Sequence, residues 1–235
     1  LEKEKKWSVS YALVFDKNKS VLETYTFYKD AYHFDLEIEF INFGDEILNT
    51  EYQLQWTGGF VPTEKDQVSD LAYFKAYSLL GDEKEEFDVQ DKAGDEASFS
   101  GLTKWVASRT KYFVLYMIPQ EKDGIGCKFS AQTVAAGGAT AQKKNAISLN
   151  MKFEPNKKDS FKIYLGPIEF SILNQYNENL TIIMERGWAI MRPLTKAILY
   201  TFNFLYGVIP NYGWVIIIFS VIVKIILYPL THKSY

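Results

Sequence analysis

The stretch that most constrains this chain is Tyr212 to Leu230, which contains Val215-Ile216-Ile217-Ile218-Phe219-Ser220-Val221-Ile222-Val223-Lys224-Ile225-Ile226-Leu227. Lys224 is the only charge in it. At 1.5 Å rise per residue, about 19 helical residues reach about 28 Å, close to the hydrocarbon thickness of a bilayer. The stretch therefore predicts a transmembrane helix, and everything before it is expected to be tethered to a membrane. His232 and Lys233 lie just past its end, while the acidic bulk of the chain precedes it. The positive-inside tendency then places the C-terminal end in the cytoplasm and the large region outside. Leu1-Glu2-Lys3-Glu4-Lys5-Lys6 is charged and has no initiating methionine or signal-peptide pattern. The expectation is a piece of a longer membrane protein.

The 235 residues are 47% hydrophobic with a net charge of -3, but that average mixes two materials. Residues 1–170 are polar, rich in Tyr and Phe, and mildly acidic, without the basic stripe of a nucleic-acid surface. Cys127 is the only cysteine, so neither a disulfide framework nor a paired-cysteine metal site is available. In His33-Phe34-Asp35-Leu36-Glu37-Ile38-Glu39-Phe40, the apolar and acidic residues alternate with period two, the pattern of a strand with one packed face and one wet face.

Similar runs occur at Trp7–Phe15, Val21–Tyr28, Glu51–Trp56, Phe74–Leu79, Phe99–Val106, Tyr112–Ile118, Cys127–Ala131, Ala146–Phe153 and Phe161–Pro167. The charged runs Gly81–Glu86 and Pro155–Asp159 read as loops, as does the small-residue run Ala135–Ala139. Many short strands separated by turn signals predict a mainly β domain, a twisted antiparallel sandwich over 1–170.

Residues 171–209 read as connecting and amphipathic helices, and 210–235 as the spanning helix with the start of a cytoplasmic segment. Ile168–Tyr176 fits a short helix, followed by the apolar segment Leu180–Met184. From Trp188 onward, Arg192 and Lys196 are four apart, and Thr195 and Asn203 continue roughly the same face. Ile190, Met191, Leu194, Ile198, Leu199, Phe202 and Leu205 cover the remainder. A narrow basic face with Trp188 and Tyr200 alongside fits a helix lying in the headgroup region. The alternative is a core helix packed under the sandwich. Pro193 suits a first helical turn, where its missing N–H does no harm.

Asn211-Tyr212-Gly213-Trp214, followed by Ile216-Ile217-Ile218, Lys224 and Tyr228-Pro229-Leu230-Thr231, resembles the bacterial YidC membrane insertases of the YidC/Oxa/Alb family. Upstream, Trp105 with Tyr112-Phe113, Tyr164-Leu165-Gly166-Pro167 and Gly187-Trp188 match the Gram-negative branch in order and spacing. The resemblance implies a periplasmic β-supersandwich, similar in architecture to galactose-mutarotase-like domains, followed by an interfacial helix and the second transmembrane helix of a multi-pass inner-membrane protein. It further implies a role in inserting and folding nascent inner-membrane proteins, alone or with the Sec translocon and its accessory subunits. No cofactor and no bond-breaking chemistry are implied.

The resemblance makes Lys224 the charge of a water-filled groove, at a position where the family normally carries arginine. Lysine keeps the charge but lacks the planar fork that grips a carboxylate bidentately. A charge inside a spanning helix marks a functional site by default. The competing reading is a lysine that snorkels to the cytoplasmic headgroups. Tyr228 and Pro229 end or kink the helix beside it. Tyr212 and Trp214, with Trp188, Arg192 and Lys196, are the expected membrane-interface anchors.

Two other classes compete with an insertase. Mutarotase-type catalysis needs a general acid and base on a sugar, yet the β region has one histidine, His33, and the acids Asp35 and Glu37 read as a solvated face. A membrane-anchored periplasmic binding module or scaffold for peptide, glycan or a Sec-accessory partner would use Trp56, Phe60, Tyr73 and Tyr77 at a cleft mouth. The plainer reading of those aromatics is sandwich core.

Overall fold

The structure is a computed structural model. It describes all residues except 1–5, 45–49, 61–69, 89–95, 135–141, 156, 177, 185–191 and 233–235. The loop read at Ala135–Ala139 lies outside the described residues. The chain divides into two compact units, Leu1–Ile183 and Met184–Tyr235.

The first unit is an antiparallel β structure: β1 (Lys6–Asp16), β2 (Lys19–Tyr28), β3 (His33–Ile41), β4 (Glu51–Trp56), β5 (Lys75–Leu80), β6 (Glu83–Asp88), β7 (Glu96–Arg109), β8 (Phe113–Pro119), β9 (Gly124–Val134), β10 (Gln142–Lys152) and β11 (Lys158–Pro167). Hydrogen bonding runs β1-β2-β3-β11-β8-β7-β9-β10-β4, with β5 joining β7 to β6. The period-two runs became strands because alternation lets each bury one face while the backbone is satisfied by its neighbours.

β7 ties the sheet into two layers. Its first half, Glu96–Ser100, pairs with β9, while Val106–Arg109 pairs with β8 and Thr103–Arg109 with β5. The ladder to β9 breaks its register between Ser100 and Thr103, where Gly101 has φ +145°. A glycine accepts that backbone at little cost, and the bulge turns the strand from one layer into the other. The main core then lies between Leu36, Ile38, Leu115, Met117, Phe161 and Ile163 of one layer and Cys127, Phe129, Ile147, Leu149 and Met151 of the other. Gly126 on β9 lets the neighbouring strand β7 come close beside it, since a Cβ would lie 2.6 Å from the Phe99 carbonyl oxygen.

Gly81–Glu86, read as a charged loop, is instead a tight turn and the first part of strand β6. Gly81 (φ +57°) and Asp82 make a two-residue hairpin turn, and Phe87 is driven into the core beside Phe129. Lys84 and Glu86 take the other face of the strand, where Lys75 lies 2.6 Å from Glu86 and Lys84 sits 5.0 Å over the Tyr77 ring. One buried phenylalanine and one glycine turn outweigh a run of polar residues.

Opposite the main core, Trp105, Tyr116 and Tyr164 form a second apolar layer, with Trp105 and Tyr116 edge-to-face at 5.1 Å. It is roofed by the short helix α1 (Phe170–Leu173) and a 3-10 turn at Leu180–Ile183, whose Leu173, Leu180 and Ile183 are buried. Trp105 Nε1 donates to the Glu178 carbonyl at 2.9 Å, Tyr116 Oη to that of Leu180 at 2.5 Å, and Arg109 Nη1 to that of Ile183 at 3.0 Å. These bonds hold the Glu178, Leu180 and Ile183 backbone on the β unit, whose compact unit runs to Ile183.

The second unit contains α2 (Arg192–Val208) and α3 (Tyr212–His232). Among the described residues, no helix is long and apolar enough to cross a membrane. The side chains of Leu227 and of Pro229 onward lie outside the described residues. α3 covers Tyr212–Leu230 as one continuous helix, but the membrane span expected there is not met among the described residues.

Replacing Trp105 by alanine is expected to cost about 3–5 kcal/mol, because it opens a cavity and orphans the Glu178 carbonyl; denaturant titration in detergent measures it. Burial, helped by the Glu85 charge, pushes the Cys127 thiol up to about 11. Its folded pKa exceeds the unfolded value, so its contribution to stability is lost as pH rises from about 8.5 toward 11. At pH 8 a thiol reagent should modify Cys127 only at the rate of unfolding.

Candidate functional site

The sequence places its candidate functional residues in the α2–α3 hairpin. α2 ends at Val208 because Pro210 has no N–H and disfavours helical backbone at Ile209. The Ile209 N–H reaches the Leu205 carbonyl at 2.8 Å, closing the helix. Asn211 then caps α3: its side-chain oxygen accepts from the Gly213 N–H at 2.9 Å, and its carbonyl from the Val215 N–H at 3.1 Å. Gly213 suits this cap, since a Cβ there would meet that same oxygen at 3.1 Å.

Two ring pairs close the hairpin. Phe202 and Phe219 meet edge-to-face at 4.7 Å, and Tyr206 stacks on Tyr212 at 4.4 Å with planes 20° apart. The Thr201 and Ser220 hydroxyls donate to the Ala197 and Ile216 carbonyls, both at 2.8 Å, so neither needs water. The remaining faces are apolar and open: Leu199, Tyr200, Phe204, Val208, Ile216, Ile217, Val221, Ile225 and Ile226 are each more than half exposed. Leaving each such side chain in water forgoes about 1.5–3 kcal/mol, and together they exceed what an isolated hairpin sustains.

Lys224 is exposed on α3. At 100° per residue it lies about 140° around the helix from Phe219, on the side away from α2. Ser220, Lys224 and Tyr228, spaced by four, line up on this face, and Tyr228 is also more than half exposed. No Asp or Glu follows Glu185, so the hairpin supplies no carboxylate to Lys224. Trp214 is exposed in the first turn of α3, whereas one ring face of Tyr212 is used against Tyr206. Lys196 is exposed on α2. Trp188, the Arg192 side chain and the Pro229 side chain lie outside the described residues.

The candidates on the β unit are absorbed by structure. His33 Nδ1 lies 2.9 Å from the Tyr176 hydroxyl, and its ring lies near Tyr28. Asp35 accepts from Tyr28 Oη at 2.5 Å, and Glu37 pairs with Lys158 at 2.7 Å. Tyr77 is fully buried, and Trp56 and Phe60 pack against the main core. Among the described residues no group of three His, Cys, Asp or Glu could hold a metal.

Sequence reasoning missed one polar cluster: Tyr52 Oη donates to Asp159 at 2.6 Å while Lys122 lies 2.8 Å from the same carboxylate. Burial, then the hydrogen bond and charge of Asp159, push the Tyr52 hydroxyl far above its ordinary range. This cluster pins β4 of one layer to β11 of the other. The partners are distant in sequence, and no local signal announces them.

A mainly antiparallel β unit followed along the chain by a helical hairpin with exposed apolar faces defines the class of this chain's fold. Residues 2–200 match the family model of the YidC periplasmic domain. The Membrane protein insertase YidC of Prosthecochloris aestuarii is 36% identical over 236 residues, covering 98% of this chain and 40% of that protein. The protein of the same name from Chlorobaculum tepidum is 35% identical over 238 residues, with the same coverage. This chain belongs to the YidC family, and it spans about 40% of the length of these curated relatives.

Replacing Asn211 by alanine removes the cap of α3 and is expected to cost about 0.5–2 kcal/mol. Helix melting by circular dichroism in detergent measures it, with Asn211→Asp retaining most of the lost stability.

Proposed function

We propose that this chain is the periplasmic and first membrane-directed part of an inner-membrane insertase, which assists insertion and folding of nascent membrane proteins alone or beside the Sec translocon. The β unit is then a periplasmic supersandwich, α2 lies in the outer headgroup layer, and α3 crosses the bilayer with its C-terminal end in the cytoplasm. Over its whole length α3 has 21 residues, about 32 Å. Trp188, Arg192, Lys196, Tyr212 and Trp214 anchor the outer interface.

The observation that carries the reading is the placement of Lys224 on the face of α3 that α2 does not use, with no acid of its own hairpin to pair with it. Such a charge needs water or an acidic partner, so that face is suited to wall a hydrophilic groove formed with other helices of the full-length protein. The groove would work physically. One positive charge and water part-way into the bilayer lower the barrier for an acidic substrate tail to enter before its apolar segment slides into lipid. Tyr228 and Pro229 shape the cytoplasmic end of that wall.

In the full-length protein, Lys224→Arg should support insertion of a small single-span substrate, while Lys224→Ala and Lys224→Glu should slow it about tenfold or more, a barrier change of at least about 1.4 kcal/mol. Protease protection of the substrate in depleted cells reads the outcome. Normal insertion by both the Ala and Glu variants would rule out the groove charge, and normal insertion by Lys224→Glu alone would show that the position needs polarity rather than positive charge.

A further inference from the structure

Among the described residues, three strands end the hydrogen-bonded order: β1, β4 and β6. An end strand offers unpaired N–H and C=O groups to any further strand, and folded proteins blunt such edges with shortness and charge. β4 and β6 follow that rule. Each has 6 residues; β4 carries Glu51, Gln53 and Gln55, and β6 carries Glu83, Lys84, Glu85 and Glu86. β1 breaks it. Its 11 residues are all exposed and pair with β2 alone among the described strands, and no charge or proline lies between Lys6 and Asp16.

The two faces of β1 are unlike. The Ser8 and Ser10 hydroxyls lie 2.9 Å from those of Thr26 and Thr24 on β2. Trp7, Val9, Tyr11 and Leu13 take the other face, where Tyr11 meets the Tyr25 ring edge-to-face at 6.0 Å and Tyr25 lies 6.1 Å from Phe34. Tyr25 in turn pairs with Leu36 of the main core. The apolar face of this layer therefore runs past the core and ends in the open on β1.

β1 is also complementary to itself. Lys6 and Asp16 are its only charges and lie equally far on either side of Tyr11. Set antiparallel to a second β1 about Tyr11, each Lys6 comes beside the other copy's Asp16, Val9 faces Leu13 and Tyr11 faces Tyr11. The regular stretch Ser8–Val14 supplies the ladder, and the bulge before Asp16 falls outside it. A slip by two residues would part each ion pair by about 7 Å, and a parallel arrangement would set lysine on lysine and aspartate on aspartate. A two-fold axis through the Tyr11 pair keeps the apolar stripes of both copies on one face. We infer that β1 is a self-pairing edge, through which two copies of this chain join into one continuous sheet. Each copy uses the same edge, so the assembly closes at two. The pairing is independent of the membrane reading of the hairpin.

The whole chain in dodecyl maltoside micelles should sediment as a dimer. Tyr11→Lys, which sets two lysines face to face at the centre, should shift it to a monomer with the β-sheet circular dichroism unchanged. Disulfide trapping then reads the register, since opposite residues of an antiparallel pair have Cα atoms about 4.5–5.5 Å apart, within disulfide reach. Under mild oxidation Tyr11→Cys should cross-link to itself. Val9→Cys and Leu13→Cys should each stay uncross-linked alone, where like positions lie about 14 Å apart, and cross-link once mixed and left to exchange. The wild-type chain, with its buried Cys127, is the blank. A monomeric wild-type chain would overturn self-pairing and leave the edge to a strand of another protein. A dimer that survives Tyr11→Lys would overturn it too, because self-association would then lie elsewhere. Cross-linking of Val9→Cys alone as strong as that of the mixture would overturn the register, and with it the pairing argued from Lys6 and Asp16.

Discussion

The architecture of the β unit depends on one strand changing partners along its length. β7 pairs with β9 in its first half and with β8 and β5 in its second, and the change happens at a glycine bulge. Without that turn the strands would extend as one flat sheet, with Leu115, Met117, Phe129 and Leu149 left in water. Folding at β7 sets the two apolar faces against each other, and the Tyr52–Asp159–Lys122 cluster then pins the layers from the side. The polar latch is costly to bury, but it has one geometry, whereas apolar packing tolerates many.

The second apolar layer explains where the unit stops. Trp105, Tyr116 and Arg109 each donate to a backbone carbonyl between Glu178 and Ile183, so a segment with little regular structure is held by side chains of the sheet. The groups that satisfy this backbone are buried and rigid, so the segment is fixed at the point where the chain passes on toward α2. The hairpin follows the opposite logic. Its helices satisfy their own backbones, with two ring pairs between them, and most of the apolar surface is left for something outside the unit.

Much of this was legible from residue order. Strands with period-two alternation, such as His33–Ile41, and the cap and proline around Asn211 carry their instructions locally. β6 was not legible, because Glu83-Lys84-Glu85-Glu86 looks like a solvated loop until Phe87 is seen entering the core. The packing of 171–183 was equally hidden, since its partners are Trp105 and Tyr116 far upstream. Of the candidate site, the isolation of Lys224 among aliphatic residues was plain in the sequence. That its face points away from α2 required the ring contacts of Phe219 and Tyr212.

The sequence by itself determined the class of each segment: alternating apolar residues make strands, and an aliphatic run makes a helix whose surface needs an apolar surrounding. These follow from backbone geometry and the hydrophobic effect acting on near neighbours. Only the tertiary structure decided which strands share a layer, which aromatics are core and which stay exposed, and which side of α3 bears a free lysine. Those outcomes depend on residues distant in the chain meeting in a closely packed interior, and no short stretch of sequence contains both partners.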